Sequence, residues 1–246
     1  MDIMWRVMFA FLLLLTGCIG SNLDDGMTII RPEKDNLYSV ATIQNINDDT
    51  APVHIYIEGD GRAFSASGRA TRDPTPRSKF MQRMAVADTS PNVAYIARPC
   101  QFVMDKKCHE SDWTTGRFSR AMVDSVANAV RQVAGSRPVI LIGFSGGAMI
   151  SGLIIQNHHD IDVNQWITIA GVLNHEDWTK YFGDTPLTHS MNMNTLPRVT
   201  QVHYIAQNDK TVPYSLSKKW IGKNKMVTIP NADHNSIPII KLEFTN

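Results

Sequence analysis

An apolar run that leads directly into a glycine-rich turn constrains the fold of this chain more than any other feature. The run covers residues 138–144 and reads PVILIGF. Such a nearly continuous apolar strand is typical of a parallel sheet that is covered on both faces. The turn is followed by an apolar stretch, residues 148–155, with the pattern of a helix. A buried strand, a sharp turn and a helix in this order predict an α/β fold.

Short apolar runs and helical patterns alternate along most of the chain. Further strands are predicted over residues 38–46, 53–58, 92–97, 165–170, 199–206 and 225–229. Further helices are predicted over residues 78–87 and 119–134. This alternation predicts a single α/β domain with a mostly parallel central sheet flanked by helices. The segment 174–197 is too short to form a large cap domain.

The turn at residues 143–147 has the sequence Gly-Phe-Ser-Gly-Gly, which matches the pattern G-x-S-x-G. Between a buried strand and a helix, this pattern predicts a nucleophilic serine at a strained turn. A side chain at Gly143 or Gly147 is expected to collide with the neighbouring strand or helix. The spacing G-x-G-x-x-G is absent, which disfavours a dinucleotide site. Ser145 is therefore the candidate nucleophile, and a structural or phosphate-binding turn is the alternative.

Two residues near the C-terminus are candidates for the base and acid that such a serine requires. Asp209 and His234 each follow one of the last two predicted strands, so both are expected at the carboxyl edge of the sheet. The order Ser145, Asp209, His234 is the one expected on this kind of sheet. Weaker contenders for the two roles are His175, His189 and Asp233.

Hydrolysis through a tetrahedral intermediate also needs hydrogen-bond donors for the oxyanion. One predicted donor is the backbone N–H of Gly146, the residue after the nucleophile. The second is expected from the Glu-Gly-Asp-Gly loop that follows the strand 53–58. Its candidates are the N–H groups of Asp60 and Gly61, and a simple tight turn is the alternative for these glycines.

These features together resemble the α/β-hydrolase superfamily over roughly residues 37–246. The stretches IEGDGR, DPTPR, ARPCQF, WTTGRFS and GFSGGA are similar, more narrowly, to a group of uncharacterised bacterial α/β hydrolases. The resemblance implies the α/β-hydrolase fold and a Ser-His-Asp triad that works through an acyl-enzyme without a cofactor. The expected substrate is a small carboxylic ester, although amide and thioester hydrolysis use the same groups. A non-catalytic binding protein on this fold is the alternative.

The N-terminal segment has the pattern of a secretory signal. Residues 8–15 are apolar and follow Arg6, and the run is too short to span a bilayer. It ends in Leu-Thr-Gly-Cys, which resembles a bacterial lipoprotein signal and implies that Cys18 becomes the diacylated mature N-terminus. An ordinary signal peptide that contains a cysteine is the alternative.

The predicted boundaries follow from this resemblance. Residues 1–17 are the signal peptide, residues 18–36 the lipidated N-terminus and tether, and residues 37–246 the hydrolase domain. The resemblance also implies membrane attachment through the lipid in the bacterial envelope. The periplasmic face of the outer membrane is favoured because Ile19 is not the aspartate associated with inner-membrane retention.

The cysteine count fits the same compartment. With Cys18 committed to lipid, Cys100 and Cys108 remain of the three cysteines. Disulfides persist outside the cytoplasm, so these two are predicted to form a bridge, the alternative being two reduced thiols.

Charge and ligand patterns exclude other classes of partner. The formal net charge is +1, so the chain has no basic field for nucleic acid. No metal site is predicted, since the His158-His159-Asp160 and Cys108-His109-Glu110 runs are contiguous and rarely converge on one ion. A monomer is expected. Two further alternatives stay open, an anion-binding or a merely structural role for Arg62, Arg69, Arg72 and Arg77, and a pocket or core position for Trp113 and Trp178.

Overall fold

The computed structural model describes residues 26–245. Within them, the strands are β1 (Met27–Ile30), β2 (Val40–Ile46), β3 (Val53–Ile57), β4 (Asn92–Ile96), β5 (Val139–Phe144), β6 (Val163–Ile169), β7 (Thr200–Ala206) and β8 (Lys225–Ile229). The helices are α1 (Phe80–Ala87), α2 (Arg120–Ala134), α3 (Gly146–Asn157), α4 (His175–Phe182) and α5 (Tyr214–Ile221), with a short 3₁₀ helix at Glu110–Trp113.

All eight strands form one sheet in the order β1-β2-β4-β3-β5-β6-β7-β8. The pairs β1/β2 and β2/β4 are antiparallel, and every other neighbouring pair is parallel. This confirms the predicted mostly parallel sheet. None of the helices described is long and apolar enough to cross a bilayer.

The central strands are mostly apolar, and β5 is apolar throughout, because both faces of the sheet are covered. Alternate residues of a strand point to opposite faces, so Ile55 and Leu141 join one buried cluster while Tyr56 and Ile142 join another. The first cluster contains side chains of α2, α3 and α5. The second contains α1 and the C-terminal segment around Leu242. The sheet is therefore the middle of three layers.

The N-terminal boundary of the domain differs from the prediction. Part of the predicted tether 18–36 is not a tether, because Met27–Ile30 forms the edge strand β1 and pairs with β2. Its sequence MTII is short but apolar and β-branched, and Ile30 is buried against the sheet. The predicted signal peptide 1–17 and Cys18 lie outside the described residues.

The connection between β6 and β7 is the place where a cap domain could be inserted. The helix in it is α4, of eight residues, and the remainder is irregular chain. No large cap domain is inserted there, as predicted, so the carboxyl edge of the sheet is left uncovered by a separate layer.

Candidate active site

Ser145 occupies a strained turn between β5 and α3. Its φ angle of 51° lies in the left-handed region, which a serine rarely adopts and which costs on the order of 1–3 kcal/mol. The turn is held by its own backbone, since the Ser145 N–H donates to the carbonyl of Ile169 and the Ser145 carbonyl accepts from Ala148 and Val172. Neighbouring elements therefore fix the position of the serine.

The glycines of the turn are required by the space around it. A Cβ atom on Gly143 would lie 2.5 Å from the carbonyl oxygen of Gly147. A Cβ atom on Gly147 would lie 2.5 Å from the carbonyl oxygen of Ile57, in the adjacent strand. The predicted collisions at both positions are confirmed.

Ser145, His234 and Asp209 form one hydrogen-bonded chain. The Oγ atom of Ser145 is 3.0 Å from Nε2 of His234, and Nδ1 of His234 is 2.7 Å from Oδ2 of Asp209. The Asp209 side chain is fully buried, and its Oδ1 accepts the N–H groups of Thr211 and Val212. The carboxylate is thus fixed so that it orients the imidazole, and the imidazole reaches the serine hydroxyl.

The other contenders are not joined to Ser145. His175 is buried in the same cavity, where its ring stacks on Phe118, and burial lowers its pKa. His189 is exposed and does not line the cavity. Asp233 accepts backbone N–H groups of its own turn. Among these contenders, none forms a hydrogen bond with the serine hydroxyl.

The hydrogen-bonded chain opens into a cavity of about 540 Å³. The cavity has apolar walls that include the aromatic side chains of Phe64, Phe80, Phe118, Phe144 and Trp178. Phe144 also stacks on the His234 ring, with the ring centroids 5.0 Å apart. Of the two tryptophans left open by the sequence, Trp178 walls the cavity, whereas Trp113 packs in a separate buried cluster with Cys100.

The three predicted oxyanion residues lie side by side. Asp60 and Gly61 line the cavity together with Ser145. A Cβ atom on Gly146 would lie 2.1 Å from Oδ1 of Asp60, so the loop approaches the start of α3 closely. Gly61 has a φ angle of 63°, and a Cβ atom there would lie 2.1 Å from the carbonyl oxygen of Pro74. Gly61 is therefore required both by its backbone conformation and by the close packing of the loop.

A buried ion cluster supports this loop, and sequence reasoning missed it. The Asp60 carboxylate forms salt bridges of 3.0 Å with Arg98 and 2.9 Å with Arg117. Burial opposes ionisation of Asp60, but the two guanidinium groups outweigh it and hold the pKa of that carboxyl below its usual value. The Arg117 guanidinium also lies over the rings of Phe64 and Trp178. Asp60 therefore acts through its side chain as an anchor for the loop.

Glu58 is a second buried carboxyl at the cavity. It accepts the N–H of Gly59 and the O–H of Tyr95, both at 3.0 Å. Burial raises its pKa to about 7 despite these hydrogen bonds. Glu58 therefore changes charge near neutral pH.

The predicted disulfide joins Cys100 and Cys108, whose Cα atoms are 5.9 Å apart. Its loop braces the site, because the Gln101 side-chain amide donates to the carbonyl of Gly59 and accepts from the N–H of Arg98. The disulfide thus secures the segment behind the Asp60 loop.

Within residues 26–245, no three His, Cys, Asp or Glu side chains are grouped closely enough to hold a metal ion.

Comparison with known proteins gives a fold. No family model matches the chain, and no curated protein matches it. An α/β serine hydrolase homologue from Coxiella burnetii is similar over 86% of this chain and 89% of its own, with a TM-score of 0.53 and 16% identity. XC6422 from Xanthomonas campestris, described as an α/β serine hydrolase without lid, covers 86% of this chain and 87% of its own, with a TM-score of 0.51 and 13% identity.

A third similar structure is Est1E from Butyrivibrio proteoclasticus with bound ferulic acid. It covers 85% of this chain and 91% of its own, with a TM-score of 0.60 and 14% identity. At these identities the likeness shows the fold alone. The chain has the α/β-hydrolase fold.

Proposed function

We propose that this protein is a serine hydrolase that cleaves carboxylic esters through an acyl-enzyme. The observation that carries the proposal is the hydrogen-bonded chain Asp209–His234–Ser145, which ends on a strained turn at the mouth of the cavity. A serine hydroxyl is a weak nucleophile unless a base removes its proton, and a properly oriented imidazole does this.

The reaction follows from these positions. The Ser145 oxygen attacks the ester carbonyl carbon while Nε2 of His234 takes the hydroxyl proton. The tetrahedral intermediate collapses as His234 gives that proton to the leaving alcohol, and an acyl-enzyme remains. Water then attacks the acyl carbonyl, His234 again takes and returns the proton, and the carboxylic acid leaves. Asp209 stabilises the imidazolium formed in each half-reaction.

The oxyanion formed in both steps needs donors. We assign one to the N–H of Gly146 and the other to the N–H of Asp60 or Gly61. The close contact between Gly146 and the Asp60 loop supports this assignment. The arginines that hold the Asp60 carboxylate fix the loop before substrate binds.

An ester is the favoured substrate because of the cavity walls. Five aromatic side chains surround the space in front of Ser145 and suit an apolar or aromatic acyl group. Est1E, which shares the fold, binds ferulic acid, an aromatic carboxylic acid. Amides and thioesters are the other substrates that the same groups could cleave, and a substrate screen separates them.

We also propose that the protein is monomeric and is held by lipid on Cys18 at the bacterial envelope, on the periplasmic face of the outer membrane. The Leu-Thr-Gly-Cys motif supports the lipid, and the Cys100–Cys108 disulfide supports an oxidising compartment. Mass spectrometry of the mature N-terminus should find a diacylated cysteine, and Cys18→Ala should move the protein to the soluble fraction. An unmodified N-terminus would overturn this proposal.

Covalent labelling tests the function. A fluorophosphonate probe should label Ser145 of the wild-type protein, and Ser145→Ala and His234→Ala should each reduce p-nitrophenyl ester turnover by roughly 10⁴-fold or more. His189→Ala is the matched histidine control, because His189 is exposed and outside the cavity, and it should retain full activity.

Absence of labelling in the folded wild-type protein would overturn the proposal. If the protein also failed to turn over any ester, amide or thioester, the results would favour a non-catalytic ligand-binding protein on this fold.

A further inference from the structure

Two arginines at the rim of the Ser145 cavity have no carboxylate partner. Arg62 and Arg77 both line the cavity, and neither forms a salt bridge with any residue from 26 to 245. Arg62 is half-buried, and every other buried or half-buried arginine in this range forms such a pair, for example Arg131 with Asp160. Arg77 is exposed, so its guanidinium group is open to solvent and to a ligand in the cavity.

The Nε atom of Arg62 also has no partner within residues 26–245. It is buried and has no hydrogen-bond acceptor among the described residues. Leaving a buried polar group unpaired costs about 1–3 kcal/mol, and more for a charged group. The pKa of the Asp73 carboxyl is lowered mainly by hydrogen bonds from Thr75 and also by the Arg62 charge, but this carboxyl accepts no hydrogen bond from Nε of Arg62.

The carboxylates of the cavity are already engaged. Asp60 is shared by Arg98 and Arg117, and Glu58 accepts hydrogen bonds from Tyr95 and its neighbour in sequence. Because burial raises the pKa of Glu58 to about 7, much of this carboxyl is uncharged near neutral pH. Positive charge therefore exceeds negative charge around the cavity.

A third guanidinium group also offers an open N–H. Arg117 uses Nε for the carbonyl of Thr114 and Nη1 for Asp60. Its Nη2 has no hydrogen-bond partner among the described residues, and it is not one of the buried unpaired atoms. Arg117 lines the Ser145 cavity and also a neighbouring pocket.

We infer that the substrate of the Ser145 site is an ester that also carries an anionic oxygen group, a carboxylate or a phosphate, and that Arg62 and Arg77 bind this group. The inference rests on the proposed hydrolase function. Guanidinium groups bind carboxylate and phosphate through paired, charge-assisted hydrogen bonds. The aromatic walls hold the apolar part of the molecule that joins the anion to the ester.

A pair of fluorophosphonate probes tests the inference on the intact protein. The two probes have the same linker and end in a free carboxylate or in its methyl ester, and their spontaneous hydrolysis rates correct for intrinsic reactivity. For wild-type protein, the labelling rate constant of Ser145 should be at least about tenfold higher with the carboxylate probe. A third probe that ends in a phosphate ranks the two anions.

Matched double variants test whether Arg62 and Arg77 cause the preference for the carboxylate probe. Arg62→Gln/Arg77→Gln should reduce it to less than about twofold, while the rate with the neutral probe stays near wild type and shows that the site is folded. Arg69→Gln/Arg72→Gln removes the same charge from the same loop at positions outside the cavity, and it should keep the preference. Arg62→Lys/Arg77→Lys should retain part of it, because the charge remains without the guanidinium fork.

The outcomes separate the two proposals. Labelling by neither probe overturns the hydrolase function and this inference together. Equal labelling by all three probes overturns the inference alone. A preference for an anionic probe that survives in Arg62→Gln/Arg77→Gln overturns the assignment to these two residues.

Discussion

At the scale of single residues, Ser145 and Asp209 are each positioned by backbone groups. Ser145 is fixed through its own N–H and carbonyl, and Asp209 through two N–H groups that follow it in the chain. His234 is oriented by these two neighbours and by the Phe144 ring. The hydrogen-bonded chain is therefore formed without a ligand, and under the proposed function such preorganised groups are the ones that contribute most to catalysis.

Glu58 gives a prediction about stability and pH. Its pKa is raised from 4.5 to about 7 in the folded protein. Between these values the unfolded chain loses the proton and the folded protein keeps it, so the contribution of Glu58 to the free energy of unfolding falls as the pH rises from 4.5 to 7. Glu58→Gln removes this titration. The unfolding free energy of the variant minus that of the wild type should therefore rise by on the order of 2–3 kcal/mol between pH 4.5 and pH 8.

Urea unfolding of both proteins at the two pH values measures this difference, and all other titrating groups cancel. Glu33→Gln, at an exposed position, is the control and should show no such change. A difference for Glu58→Gln that does not depend on pH would show that this carboxyl ionises normally in the folded state.

At the scale of elements, the site depends on the short distance between the first residues of α3 and the end of β3. The turn after β5 and the loop after β3 touch through glycines, and the disulfide-closed loop after β4 braces them from behind. Three separate connections at the carboxyl edge therefore meet at one point. A change in any of them is transmitted to Ser145 through backbone contacts.

Gly147→Ala tests this contact. The added Cβ atom would lie 2.5 Å from the carbonyl oxygen of Ile57 and 2.6 Å from that of Glu58, both backbone atoms at the end of a central strand. Forcing it in should lower the free energy of unfolding by about 1–3 kcal/mol and slow fluorophosphonate labelling of Ser145 by at least about tenfold.

Gly26→Ala is the matched control, because a Cβ atom there meets only the Ile43 side chain at 3.9 Å. If Gly147→Ala were as stable and as readily labelled as this control, the close approach of α3 to β3 would not govern the site.

The elements show what a sequence can and cannot reveal. Period and apolar content predict β5 and α2, and the motif context places Ser145, Asp209 and His234, because these signals are local. Strand β1 was not predicted because four residues are too few to show a period and the surrounding residues are polar. The Asp60–Arg98–Arg117 cluster was not predicted because the two arginines lie 38 and 57 residues after Asp60, and only the folded chain brings them together.

At the scale of the whole molecule, the architecture leaves the cavity open. Helices cover both faces of the sheet, while its carboxyl edge has only loops and the eight-residue α4 around Ser145. Substrate can therefore enter without displacing a cap, and the far end of a long acyl chain stays in water. A methylene gains roughly 0.8 kcal/mol only when it is buried.

This openness predicts the acyl-length profile. Among p-nitrophenyl esters, kcat/KM should rise with acyl length only until the chain fills the cavity and should level off before the laurate, since carbons beyond the cavity gain no buried area. The measurement is a series from acetate to laurate with Ser145→Ala as the blank. A steep, continuing increase up to laurate would mean that the protein covers long chains.

Strand β1 sets the distance between the proposed lipid and the folded domain. If Cys18 carries the lipid, residues 18–26 separate the lipid from the sheet, rather than residues 18–36, because β1 is paired at the sheet edge. Nine residues span at most about 30 Å when fully extended, less than the diameter of most domains of this size. Under the proposed lipid attachment and hydrolase function, the Ser145 cavity would then reach only molecules close to its own bilayer, and lengthening the segment before Met27 should let the protein act on an ester in a second vesicle.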